Sequence, residues 1–176
     1  MNKSTTLPQV RESQLLSSKR VEDWSVFIVL IRKNSADDKE ILLVLNTDIK
    51  GDKWGLPGGR IEKPEINRGI INTITALGRE LREEAGLDLE KINLDFNFRN
   101  RNLPYVSEKQ SWHCDNAVAR VIVFYAEWNG SDDLRPSPDA DADVTEARWF
   151  PVNQFPENLY KSHRIRIHGI LQTLKN

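Results

Sequence analysis

The sequence predicts an α/β fold, a sandwich built on a mixed β-sheet, and three observations carry that prediction. Trp24–Ile31 is a continuous apolar, β-branched run, the pattern of a strand covered on both faces. Ala117–Trp128 is the strongest strand signal in the chain. Between them lies one long helix that stops at Gly86, and a second helical pattern, Leu159–Leu174, closes the chain. Strands on both sides of a single helix, with another helix at the end, sort into layers as a sheet packed between helices.

A chain of 176 residues suits one domain with a full core. Hydrophobic and charged contents of 39% and 29% are ordinary for a globular protein, which argues against disorder. The formal net charge of -1 leaves no global field to draw in nucleic acid or a membrane surface. Cys114 is the one cysteine, so no intrachain disulfide forms, and a reducing, cytoplasmic setting is the simplest expectation. The opening MNKSTTLPQVRESQLL lacks the apolar core of a signal peptide, and the longest apolar run, Val26–Ile31, is far too short to span a bilayer. No membrane partner is expected.

Residues 1–20 are polar without a period and read as a mobile arm or loosely attached edge, with the domain occupying 21–176. Trp24–Ile31 and Glu40–Asn46 are strands joined by the turn Asn34–Lys39, a hairpin. Thr47–Lys53 is a loop, and Trp54-Gly55-Leu56-Pro57 leads into a Gly58-Gly59 turn. Beyond the first helix, Leu94–Arg99 alternates like a strand with one wet face. Asn100–Ser111 is expected to be a loop or hairpin tip, with Pro104 breaking any strand. Asn129–Val144 is an acidic loop, and Glu146–Phe150 is a short strand stopped by Pro151. The closing helix turns Leu159, Ile167, Ile170, Leu171 and Leu174 inward.

The chemistry concentrates in Leu56–Leu87. Glu80, Glu83 and Glu84 stand at i, i+3 and i+4, so all three project from one helical face, where like charges repel. Ile70, Ile74, Leu77 and Leu81 form the opposite, core-facing stripe. A cation between the glutamates turns the repulsion into a gain. Carboxylates of this kind suit Mg²⁺ or Mn²⁺, hard ions that keep waters and take substrate phosphates into their shell. Glycines at Gly58 and Gly59 let backbone atoms approach a ligand closely. A solvated acidic helix face is the plain alternative.

This arrangement resembles the box of the Nudix hydrolase family: Gly, five residues, Glu, seven residues, then Arg-Glu-apolar-x-Glu-Glu-x-Gly-apolar. Gly59 and Glu65 match the first half, and Arg79, Glu80, Leu81, Glu83, Glu84, Gly86 and Leu87 match the second. The chain departs in one respect, for 13 residues separate Glu65 from Arg79. This puts the role of Glu65 in question. Six extra residues lie in or near Ile66–Asn72 and are expected to be looped out before the helix. Inserted into a continuous helix they would turn it by about 600°, carrying the glutamates away from the glycines. Ile66, Ile70 and Ile71 would then fold onto the domain or make a homodimer contact.

The resemblance implies a Nudix-like α/β/α sandwich with a mixed sheet, and hydrolysis of a nucleoside diphosphate linked to another moiety. It implies Glu80, Glu83, Glu84 and the Gly58 carbonyl as ligands of Mg²⁺ or Mn²⁺. Arg79 would orient a helix carboxylate through a bidentate pair, against the plain reading of an i,i+4 pair with Glu83. Arg60 either meets a phosphate or is a solvated loop side chain. For the further acid that family members often add, Glu146 is the first candidate, ahead of Asp143 and Glu127. Trp54, Tyr105 and Trp112 are candidate stacking surfaces for base or sugar, although tryptophans more often serve a core. His113 and Cys114 lack the two further ligands zinc needs. Lys161–His168 is basic, but a solvated helix face explains it better than RNA contact. Pro104 and Tyr105 fall near a subfamily marker window and point to different substrates, ADP-ribose-like and dinucleoside polyphosphate. The alternative function is an inactive nucleotide-binding or regulatory module of the same fold. The insertion favours that module, and the intact glutamates argue against it.

Overall fold

A computed structural model of the chain describes residues 10–11, 20–47, 51–62, 65–67, 70–92, 105–110, 117–130, 134–136 and 144–173. Its strands are β1 (Val10–Arg11), β2 (Arg20–Lys33), β3 (Lys39–Asn46), β4 (Lys53–Gly55), β5 (Gly58–Arg60), β6 (Ile66–Asn67), β7 (Ile70–Ile71), β8 (Tyr105–Gln110), β9 (Ala117–Glu127) and β10 (Val144–Pro151). Helix α1 spans Thr73–Ala85 and α2 spans Lys161–Thr173. The main sheet runs β10-β3-β2-β9-β8, with β4 beside β3 and β5 beside β2. It is mixed because β2 and β9 pair in parallel from Arg20↔Ala117 to Ile31↔Glu127.

Both faces of that sheet are covered, which is why its central strands read as continuous apolar runs. Val26, Ile28 and Leu30 of β2 and Ile122, Phe124 and Ala126 of β9 pack with Ile74, Leu77 and Leu81 of α1. The alternate residues Val29, Ile31, Val121 and Val123 pack with Ile167 and Ile170 of α2. The result is an α/β/α sandwich. Among the described residues, no helix is long and apolar enough to cross a membrane.

β2 and β3 form the expected hairpin only at Ile31↔Ile41, Arg32↔Glu40 and Lys33↔Lys39. Beyond those pairs they part. β4 fills the β3 side of the split through Val44↔Gly55, and β5 fills the β2 side through Phe27↔Gly58. Leu56 and Pro57 therefore cross the split, and the residue ladder that the sequence left as a loop up to Lys53 begins at Lys53 itself.

Helix α1 is delimited by its own caps. The Asn72 side chain accepts the Thr75 N–H at 3.1 Å. At the other end Gly86 adopts φ 69°, its N–H reaches the Arg82 carbonyl, and the Leu87 N–H reaches the Leu81 carbonyl at 3.1 Å. Ile70 thus lies outside the helix, in β7, and only Ile74, Leu77 and Leu81 of the proposed stripe belong to it.

The segment 66–71 leaves and returns at one point. β6 and β7 pair as Ile66↔Ile71 and Asn67↔Ile70, and the Asn72 N–H donates to the Glu65 carbonyl at 2.8 Å. β1 from the amino-terminal segment pairs with this excursion through Val10↔Ile71.

One stretch departs from expectation. Tyr105–Gln110, read as part of a loop or hairpin tip, is β8, paired antiparallel to β9 and, among the described residues, last in the order of the sheet. Pro104 precedes Tyr105 in the sequence, so the strand itself contains no proline to break a ladder bond. Leu94–Arg99, His113, Cys114 and Leu174 lie outside the described residues.

Candidate active site

The site is assembled where α1 passes under the glycine turn. Gly58 has φ +128°, and a Cβ there would stand 2.1 Å from the Val26 carbonyl oxygen, so only glycine fits. A Cβ at Gly59 would come within 2.5 Å of a Glu80 carboxylate oxygen. The absence of side chains brings the helix carboxylates against the backbone. Glu84 Oε2 accepts the Gly58 N–H at 2.7 Å.

Two of the three glutamates on this face are withdrawn from solvent, while the Glu83 side chain is 40% exposed. Glu80 and Glu84 are 9% and 8% exposed. Burial pushes the Glu80 carboxyl up to about 7, against the pull of the Arg79 charge, with Glu83 and Glu65 adding to the rise. Burial pushes Glu84 up to about 8, with the Gly58 N–H opposing and the charges of Glu80 and Glu83 reinforcing. Two buried carboxylates that resist ionisation are short of positive charge.

Arg79 gathers the remaining acids. Its Nε lies 3.2 Å from Glu65 Oε1 and its Nη2 3.5 Å from Glu65 Oε2, a two-point contact. Nη1 reaches Glu80 Oε1 at 3.0 Å and Glu83 Oε2 at 3.1 Å, and Nη2 donates to the Arg60 carbonyl at 3.0 Å. Burial works against the Arg79 charge, but the Glu65 hydrogen bond and the neighbouring carboxylates outweigh it and hold the guanidinium protonated. The bidentate partner is therefore Glu65 and not a helix carboxylate. The Asn72 N–H takes the Glu65 carbonyl, while the Glu65 side chain meets Arg79. Glu65 Oε2 also accepts the Glu62 N–H at 2.7 Å, which fixes its orientation.

The donor set suits a hard cation of partial protein coordination. Among the described residues, no three acidic, His or Cys side chains enclose an ion by themselves. Glu80 and Glu83 each rest on Arg79, and Glu84 rests on Gly58. That is compatible with Mg²⁺, which takes one or two carboxylates and completes its octahedron with waters and phosphates. It does not suit a closed structural site.

Comparison with known proteins agrees with this geometry. The NUDIX domain family model matches residues 22–169. The chain belongs to the Nudix family. It is 30% identical over 153 residues to a human 8-oxo-dGDP phosphatase, a match covering 86% of this chain and 38% of that protein. It is 27% identical over 124 residues to the mRNA-decapping enzyme subunit 2 of Saccharomyces cerevisiae, covering 70% of this chain and 10% of that one. The chain thus spans well under half the length of these relatives. Among solved structures, a C. elegans Ap4A hydrolase binary complex superposes with a TM-score of 0.67 at 17% identity, over 88% of this chain and 98% of that one. The NUDIX domain of Shewanella oneidensis NrtR, complexed with ADP ribose, superposes with a TM-score of 0.57 at 17% identity, over 93% of each. At these identities the structures speak for the Nudix fold.

The Nudix helix and its glycine turn bring together Gly58, Glu65, Arg79, Glu80, Glu83 and Glu84. Other candidates fall elsewhere. Trp54 is buried in the core on the α2 face, edge-on to Phe150 with centroids 4.7 Å apart, so it is no stacking platform. Strand β4 carries it into the core beside Leu159, with which it forms a parallel bridge. Glu146 also lies off the site. It pairs with Arg148, whose guanidinium stands over Trp54 and Phe150 on the α2 face. Ala147 and Trp149, the residues of opposite parity, are the ones packed toward α1. Glu127 is exposed and accepts from the Tyr125 hydroxyl at 3.0 Å. Arg60 is exposed at the end of β5, and its carbonyl serves Arg79. Tyr105 opens β8 opposite Val123. Asp143 and Trp112 lie outside the described residues. Glu65 could have been assigned from its five-residue spacing after Gly59, and Glu62 carried no signal in the sequence.

Proposed function

We propose that this chain is a divalent-metal-dependent hydrolase that cleaves the diphosphate linkage of a nucleoside diphosphate joined to another moiety. One observation carries the proposal: two buried, hard-to-ionise carboxylates, Glu80 and Glu84, lie against a backbone turn that admits only glycine. A purely structural helix face gains nothing from burying them. Glu80, Glu83 and Glu84, with the Gly58 carbonyl, would hold Mg²⁺ or Mn²⁺. When bound, such an ion would offset the charge of the diphosphate and activate water. Arg79 orients Glu80 and Glu83 from one guanidinium, and Glu65 holds that guanidinium from the other side. Gly58 N–H keeps the Glu84 carboxylate turned to the glycine loop. Arg60, beside the turn, would meet a substrate phosphate.

8-oxo-dGDP and Ap4A, which two of these proteins are named for acting on, and ADP ribose, bound in a third, share a nucleoside carrying linked phosphates, and that class is what we assign here. The test is a screen of such compounds with Mg²⁺ and Mn²⁺, with and without EDTA. Release of a nucleotide product that EDTA abolishes is the expected result. A second reading, a nucleotide-binding module without turnover, is favoured by Glu80 and Glu83 resting on Arg79 instead of converging on one point. Saturable binding of ADP ribose without any product would establish it.

A further inference from the structure

The approach to the glycine turn is held from the α2 face of the sheet. Residues 158–163 run beside residues 52–56 and touch them in order. Asn158 Nδ2 donates to the Asp52 carbonyl at 3.0 Å. Leu159 forms a parallel bridge with Trp54, and the Tyr160 N–H donates to the Trp54 carbonyl at 2.9 Å. At the end of this series His163, in the first turn of α2, accepts the Leu56 N–H on Nδ1 at 2.8 Å.

Local chemistry makes the last contact hard to replace. Leu56 is 1% exposed, so its N–H has no recourse to water. It lies between β4 and β5, in neither ladder, and Pro57 beyond it has no N–H. The Pro57 carbonyl is taken by the Ile28 N–H at 3.1 Å. Gly55 leaves room for the imidazole, since a Cβ there would stand 3.1 Å from Nδ1. Phe27 packs edge-on to the same ring, centroids 4.7 Å apart, and Phe27 is the β2 residue paired with Gly58. The imidazole therefore touches the backbone two residues before Gly58 and the strand residue across from it.

We propose that His163 is a positioning residue for the metal site, an Nδ1 acceptor that sets where the Gly58 backbone stands relative to Glu84. This rests on the reading above that Gly58 and the glutamates take a divalent cation. An accepting nitrogen keeps its lone pair, so the neutral ring carries its proton on Nε2. Removing the acceptor leaves a buried N–H unpaired and frees the turn. Outer-shell losses of this type weaken a metal site by roughly 10–100-fold.

The test titrates Mn²⁺ alone into the full chain, reading free Mn²⁺ by electron paramagnetic resonance, for the wild type, His163→Leu and His163→Asn. Amide hydrogen exchange at Leu56 and Gly58 is followed in parallel by NMR. The Leu variant should bind Mn²⁺ about 10–100-fold more weakly and lose protection at both amides. The Asn variant, whose Oδ1 can accept in place of Nδ1, should recover most of both. Equal Mn²⁺ affinity in wild type and folded Leu variant overturns the proposal. Should the Leu variant not fold, the Asn variant decides: retained Leu56 protection with retained affinity supports it, and lost protection with unchanged affinity overturns it. A wild type that binds no Mn²⁺ removes the metal reading itself. His163 is then judged on exchange alone, where unchanged Gly58 protection in the Leu variant, or in the Asn variant if that lacks Leu56 protection, overturns the role.

Discussion

Glu84 and Glu146 show how little an acidic residue's identity says about its chemistry. Glu84 belongs to a helix packed on the main sheet and Glu146 to a strand of that sheet. Glu84 lies on α1, 8% exposed, bound to one backbone N–H, with its carboxyl pushed up to about 8. Glu146 lies on β10, with its side chain 39% exposed and paired with Arg148. The first is short of positive charge and the second already has it. A carboxylate becomes a site for a cation when burial removes water and no side-chain cation is spent on it alone.

The largest expected effect breaks the first member of that comparison. Glu84→Gln should lower turnover by roughly 10²–10³-fold, the scale on which a single preorganised electrostatic group acts. Glu146→Gln should change it by less than about twofold, since surface substitutions are seldom felt. Steady-state rates on folded variants check both, and comparable losses in the two would erase the distinction.

Arg79→Ala comes next. It strips Glu65, Glu80 and Glu83 of their shared partner, and should lower stability by about 1–3 kcal/mol and activity by roughly 10–100-fold. Arg79→Lys should not rescue, because one ammonium cannot span Glu65 and the helix acids together. Urea unfolding of the variants, with full recovery by Lys as the contrary result, tests this.

The pH dependence sharpens the same contrast. Glu80 and Glu84 titrate near 7 and 8 in the fold, above the ordinary carboxylate value of 4.5. Their protonated forms favour folding, so that contribution is fully present below about pH 4.5 and is lost as pH rises through about 7 and 8. The metal-free protein should melt lower at pH 9 than at pH 6, and Glu84→Gln should flatten the difference. Mg²⁺ binds the ionised carboxylates, so its stabilisation should be larger at pH 9, though modest until a diphosphate is also present. A melting temperature indifferent to pH over this range contradicts the burial argument.

The smallest effect belongs to the excursion. Deleting residues 66–71 joins Glu65 to Asn72, whose carbonyl oxygen and N–H already stand 2.8 Å apart. Hydrolysis should fall by no more than about twofold, because the Asn72 cap and the Glu65–Arg79 contact both survive. Loss of the helix signal in circular dichroism would show the excursion to be structural.

Much of this was legible in the chain. The period of Ile74, Leu77 and Leu81, the spacing of Glu80, Glu83 and Glu84, and the stop at Gly86 fix the helix and its two faces, because a helix converts sequence spacing directly into direction. Three things were not legible. Burial of Glu80 depends on its meeting Gly59, a contact between residues 21 apart in sequence. The fate of Trp54 and Glu146 depends on which face of β4 and β10 meets which helix, and strand parity is set by register with a partner, not by the strand alone. His163 reads in the sequence as one more residue of a basic helix; only the packing of α2 against β4 brings its Nδ1 to Leu56. Local spacing encodes what one element presents, and tertiary structure decides what water that presentation loses and what it meets instead.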